Sequence, residues 1–168
     1  MKKQWVYFLL FFVVPIIVVV WMMGAFATVT VEYAMRGPYH YAYVVHTGRY
    51  DKLLGKQNEV FLALEAQGVA AHAPIALILS DPANTKKKAL SSHAGYLIDV
   101  GAKVAAPLLV GDIPARRVLL VRVKASPVLA PSKAYKALTE YLEAHHMKLA
   151  LPTVEIYKDK ELSVEMSM

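Results

Sequence analysis

Glu155 is the residue whose setting asks for chemistry. It lies in Val154-Glu155-Ile156-Tyr157, where a strand would place the two aliphatics on one face and the carboxylate and phenol on the other. A carboxylate in mid-strand is costly to bury unless a donor or a cation meets it. Two readings stay open: an acid lining a hollow, or one paired with a neighbour such as Lys158 or Arg122. Tyr157 shares its face, and the alternating stripe Tyr39, Tyr41, Tyr43, with Tyr96, could supply aromatic walls or simply pack the sheet. The six histidines fall in no metal-ligand spacing, so no metal is expected. Cysteine is absent, which excludes thiolate ligands, thiol nucleophiles and disulfides. No nucleophile elbow, P-loop or dinucleotide fingerprint occurs, and Glu155 has no second catalytic group of known role beside it. Binding without catalysis, and without a cofactor, is the expectation; the minority reading is a glutamate-assisted hydrolase with Glu155 as general base.

The elements that must position these residues begin with an apolar run. Of the 168 residues 57% are apolar, and much of the excess falls in the first thirty positions. Trp5 to Met23 carries no charge over nineteen residues; as a helix it rises roughly 28 Å, close to the hydrocarbon thickness of a bilayer. Trp5, Tyr7 and Trp21 stand near its ends, as interfacial aromatics do. Residues 1–27 are therefore expected to form a short tip and a transmembrane anchor. A cleaved signal peptide ending at Ala27 is the rival, and the length of the run argues against it. Lys2 and Lys3 precede the run, so the N-terminus is expected in the cytoplasm and the domain outside, in the periplasm if the cell is bacterial. The net charge of +6 comes largely from Lys2-Lys3 and Lys86-Lys87-Lys88, so nucleic acid is not an expected partner.

Residues 28–168 read as one α+β domain made of two copies, about 29–101 and 115–168. Shifting the chain by 78 positions lays Leu64-Glu65-Ala66 on Leu142-Glu143-Ala144, Pro74 on Pro152, Ile78 on Ile156 and Asp81 on Asp159. In that register Leu77 falls on Glu155. The first copy is an extended segment from Val29 to Val45, broken at Gly37-Pro38, and then a helix to about Gln67 capped by Asp51. Strands follow at Pro74–Ser80 and at Tyr96–Val100, after a flexible Gly95. Residues 104–114 read as a connector. The second copy is a strand at Val118–Val123, a helix capped by Ser132 and running to about His146, the strand with Glu155, and a last strand at Leu162–Met166. In that last strand Leu162, Val164 and Met166 alternate with Ser163 and Glu165. Strand–helix–strand–strand, repeated in tandem, predicts an antiparallel sheet with two helices.

At this level the chain resembles the GyrI-like small-molecule-binding superfamily. The residues that carry the likeness are His46-Thr47-Gly48-Arg49-Tyr50 before the first helix, Ile75 to Pro82 with its Asp81-Pro82 ending, Ala94-Gly95, and Val154 to Tyr157. The likeness spans about residues 29–168. With the apolar run it is further similar to the membrane-anchored relatives of a testis-expressed ER-phagy receptor. The sequence ends at Met168 without a tail, so that receptor role is not expected to transfer. Members fused to DNA-binding helices are drug-sensing regulators, and that role is not expected either. The resemblance implies a cleft for a lipophilic or cationic ligand, with Glu155 at the position of the family's cleft carboxylate. Tyr157, Tyr43, Tyr41 and Tyr96 would stand around it. A carboxylate among phenols suits an aromatic cation. The expected function is a membrane-anchored ligand-binding domain; the alternative is a membrane-tethered scaffold of the same fold that holds a protein partner.

Overall fold

A computed structural model describes residues 2–168, with the side chains of residues 2–4 and 6 set aside. Three α-helices, α1 (Lys2–Met22), α2 (Leu53–Ala66) and α3 (Ala130–Ala144), accompany eight strands. These are β1 (Val29–Arg36), β2 (Tyr39–Thr47), β3 (Pro74–Ile78), β4 (Ser91–Leu97), β5 (Leu109–Ile113), β6 (Arg116–Val123), β7 (Thr153–Lys158) and β8 (Glu161–Ser167). All eight form one antiparallel sheet in the order β1-β6-β8-β7-β3-β4-β2-β5.

That order reads the same from either end in terms of the two units β2–α2–β3–β4 and β6–α3–β7–β8. β3 and β7 meet at the centre, and β1 and β5 flank the first strand of the opposite and of the same unit. Helix α2 packs over β2 and β4, and α3 over β6, β8 and β1. Val60 and Leu64 are fully buried under α2; Leu138 and Leu142 occupy the corresponding places on α3. These pairs stand four residues apart on each helix, one face of a 3.6-residue repeat. Each helix thus covers the outer strands of its own half, and the central pair β3 and β7 is left as the floor of a gap.

Several sequence expectations change. The strand expected at Tyr96–Val100 begins earlier, at Ser91, and Gly95 is inside it. There a Cβ would lie 2.1 Å from the Ala42 carbonyl oxygen, so glycine answers a close backbone approach and is no hinge. The connector expected at 104–114 contains the edge strand β5. Asp51 lies in a 3-10 turn, Tyr50–Lys52, and is held by Arg49 (2.6 Å), so it does not cap α2. Ser132 is inside α3 and donates its hydroxyl to the Leu129 carbonyl (3.0 Å).

The gapless shift of 78 holds for the helices but fails in the strands. Ala66 and Ala144 close α2 and α3, whereas β3 opens at Pro74 and β7 at Thr153, one residue later than the shift requires. A one-residue slip exchanges the faces of a strand. Pro74, Ala76 and Ile78 look toward the helices, as do Glu155 and Tyr157. Ile75 and Leu77 pack with Val154 and Ile156 on the other face. The counterpart of Glu155 is therefore Ala76, which is also its paired residue across β3 and β7.

The face turned away from the helices is buried as well. Val118, Leu120 and Glu165 are at most 2% exposed on it. Arg36 Nε (2.8 Å), the Tyr39 hydroxyl (2.6 Å) and Arg116 (3.0 Å) all donate to the Glu165 carboxylate. Burial, and then this hydrogen bond, push the Tyr39 phenol up to about 12. Three donors from β1, β2 and β6 meet one acid of β8, which ties the two ends of the sheet together.

At the N-terminus, α1 runs for 21 residues. The large apolar side chains described along it are 38–76% exposed, and the domain does not cover them. Counted over the described residues, no helix is long and apolar enough to cross a membrane.

Candidate functional site

The gap between α2 and α3 is a cavity of about 860 Å³, within the range of sites that enclose small organic ligands. Its floor is Pro74, Ala76 and Ile78 of β3, Glu155 and Tyr157 of β7, and Tyr96 of β4. One wall is the first half of α2, with Leu53, Leu54 and Gln57; the other is α3, with Pro131, Tyr135 and Thr139. Room exists above Glu155 because its paired residue, Ala76, projects only a methyl group. A leucine there would occupy the centre of the gap.

Glu155 is half-buried and lines the cavity. The Tyr135 hydroxyl donates to its Oε1 (2.8 Å). That hydroxyl is also 2.8 Å from Thr153 Oγ1; with the phenol proton committed to the carboxylate, Thr153 is the donor to Tyr135. Burial pushes Glu155 up to about 6, and the Tyr135 bond pulls the other way. No charged neighbour contributes to that balance. Burial and the adjacent carboxylate push the Tyr135 phenol well above 10. Neither partner considered from sequence is used: Arg122 pairs with Glu32, and Lys158 stands opposite Glu161 at the hairpin end. Glu155 is thus an acid with one neutral donor and an open side.

Three of the five residues expected at the site come together here: Glu155, Tyr157 and Tyr96. The Tyr157 hydroxyl donates to the Ala125 carbonyl (2.7 Å), which fixes its ring against the end of the cavity. Tyr41 and Tyr43 do not line it, which corrects their assignment to the cleft. The β2–β4 register sets Tyr43 opposite Gly95 and Tyr41 opposite Leu97, on the helix-free face, while Ala42 stands opposite Tyr96 on the cavity side. Tyr41, Tyr43 and His93 stack there, with ring centres 5.1 and 4.0 Å apart along the series. Tyr135, Tyr50 and Gln57 are cavity residues not singled out beforehand. Tyr50 is tied down by the Ser80 carbonyl (2.6 Å), and Gln57 by that of Ile75 (3.1 Å). Tyr50 stands in the His46–Tyr50 turn that carries the family likeness, and Tyr135 on the apolar stripe of α3; Gln57 had no sequence signal. Among the described residues no group of three or more His, Asp or Glu could hold a metal ion.

No protein-family model matches the chain, and no curated protein matches it by sequence. Solved structures do match by shape. The EcmrR C-terminal domain aligns with a TM-score of 0.63 at 13% identity, over 84% of this chain and 96% of that one. SAV2435 bound to tetraphenylphosphonium aligns with a TM-score of 0.58 at 10% identity, over 82% and 93%. The fold is GyrI-like. EcmrR in its DNA complex aligns with a TM-score of 0.66 at 12% identity, and this chain spans 57% of that longer chain. At such identities the likeness concerns the GyrI-like arrangement of sheet and helices and not any single residue.

Proposed function

We propose that the chain is a membrane-anchored domain that binds a small lipophilic, cationic molecule reversibly, without chemical turnover. The observation that carries this reading is Glu155: a half-buried carboxylate with no cation beside it, facing a largely apolar cavity of about 860 Å³. An organic cation that buries its apolar surface there would bring the missing counter-charge to a desolvated site, where the attraction is strong. Tyr96, Tyr135 and Tyr157 offer ring surfaces to such a cation. A structural neighbour, SAV2435, was solved bound to tetraphenylphosphonium, which makes that compound the first probe. Two further carboxylates at the rim are already engaged. Asp51 is held by Arg49, and Asp81 accepts from the Ala83 amide (2.8 Å) and Asn84 (2.6 Å). We read the repeated order of elements as the trace of a tandem duplication.

The anchor would be α1, whose exposed apolar side chains have no cover in the domain. Lipid would provide it. With Lys2-Lys3 on the cytoplasmic side, the domain would lie across the membrane, and protease added outside spheroplasts should digest it. Protection from that protease would reverse the orientation. For the ligand, thermal unfolding of the purified chain with tetraphenylphosphonium is the test. At a hundredfold excess over Kd the native state gains about 2.7 kcal/mol, an upward shift that E155Q should lose. No shift with any lipophilic cation, together with a co-purifying protein, would favour the scaffold alternative.

A further inference from the structure

The joint between α1 and the domain lies at one end of the cavity. The Ser126 amide donates to the Met23 carbonyl (3.0 Å). Gly24 packs so closely that a Cβ on it would fall 2.7 Å from Ala125 Cα. Lys133, from α3, reaches the carbonyl oxygens of Ala25 and, at 3.4 Å, Ala27. The helix end is thus held to the β6–α3 loop by backbone and side-chain contacts together. The same loop continues directly into the cavity wall, with Pro127 and Val128 and then Pro131 lining it. Its Ala125 carbonyl holds the Tyr157 hydroxyl at the cavity floor. Val128 is 72% exposed although it lines the cavity, so it stands at a mouth, and Phe26 beside the joint is 73% exposed.

We propose that the cavity opens sideways onto the lipid leaflet at Pro127–Pro131, and that its ligands are amphiphiles resident in that leaflet which enter without crossing bulk water. This rests on the anchored, cation-binding reading above. Ser126, whose amide holds the end of α1, is followed directly by the first wall residue, Pro127. A bilayer that ends at Met23 therefore leaves only a residue or two of chain, roughly 3.5 Å each, between its surface and the mouth. An apolar rim at that depth costs nothing to wet, because lipid meets it. The ligand would keep its chain or rings along Val128 and Pro131 while its cationic head advances over Tyr157 to Glu155.

Because the chain has no cysteine, single cysteines can be placed in the full-length protein. V128C and, at the far end of the cavity, A83C would carry an environment-sensitive fluorophore in phosphatidylcholine vesicles. Lipids with a nitroxide near the headgroup should quench the label at 128 several-fold more than that at 83. Equal quenching at both positions would overturn the sideways mouth. A second arm uses a triphenylphosphonium joined by a short linker to a two-chain phospholipid, which cannot leave the leaflet. It should raise the unfolding temperature of the reconstituted protein, and the rise should vanish in E155Q. Stabilisation by free tetraphenylphosphonium with none by the tethered form would overturn the proposal and leave the cavity reading standing. Failure of the full chain to float with vesicles would defeat the anchor beneath it. Failure of free tetraphenylphosphonium to bind would defeat the cavity reading, and the proposal with it.

Discussion

Glu155 and Glu165 stand on neighbouring strands of one hairpin, and each is taken out of bulk water on a different face of the sheet. Glu165 is met by two guanidinium groups and a phenol, so its charge is matched where it lies. Glu155 is met by one phenol and faces the cavity. Burial alone therefore does not mark a functional acid; what distinguishes the two is whether the fold itself brings the counter-charge. The helix-free face closes around its acid and uses it to hold the sheet ends together. The helix-covered face leaves its acid waiting.

The contrast is broken most severely at Glu165. Replacing it with glutamine strands two arginines, and the loss of one partner of a buried pair costs about 3 kcal/mol, or roughly 10 °C in Tm for a domain of this size. Calorimetry of E165Q would show it, and an unchanged Tm would mean the cluster is decoration. At Glu155 the same exchange should act the other way. E155Q should lose about 10- to 100-fold in affinity for tetraphenylphosphonium, as expected for removing a charged partner, while the unliganded protein becomes more stable near pH 8. Isothermal titration and denaturant melts read the two separately.

The pH dependence follows from the same shift. Glu155 is held at about 6 in the folded protein against an ordinary 4.5, so the folded state binds the proton more tightly than the unfolded chain. The stability this contributes, about 2 kcal/mol, is fully present below pH 4.5 and is lost as the pH rises through about 6. Cation affinity should run oppositely, rising through about pH 6 and then levelling. A flat profile from pH 5 to 8 would take Glu155 out of the site. Removing the Tyr135 hydroxyl in Y135F deletes the one bond that favours the ionised acid, so the midpoint of that profile should move upward, at a stability cost of about 1 kcal/mol. The smallest effect is expected on the helix-free face, where Y43F should leave affinity unchanged within twofold. A larger loss would show that the two faces communicate.

Much of this was legible in the residues. Periodicity located both helices, and the alternation through Val154 to Tyr157 paired Glu155 with Tyr157 correctly. What was not legible is which face of a strand looks inward when both faces are buried. Tyr39, Tyr41 and Tyr43 alternate as cleanly as any cavity wall, yet only the pairing of Tyr43 with Gly95 assigns their side. The role of Glu165 was hidden for the same reason, since the alternation through β8 separates two faces that are both buried. The helices repeat at 78 residues and the strands that follow them at 79. One additional residue between α3 and β7 reverses the comparison, and local sequence offers no marker for it.

The sheet reads the same from both ends, and its midpoint runs between Ala76 and Glu155. A vault built from two matching halves would ordinarily accept a guest either way round, but here a single methyl faces a single acid across the mirror point. A guest that uses Glu155 would therefore lie with a defined head and tail. A molecule with a charge at each end should gain nothing from the second, unless Ala76 is itself exchanged for an acid.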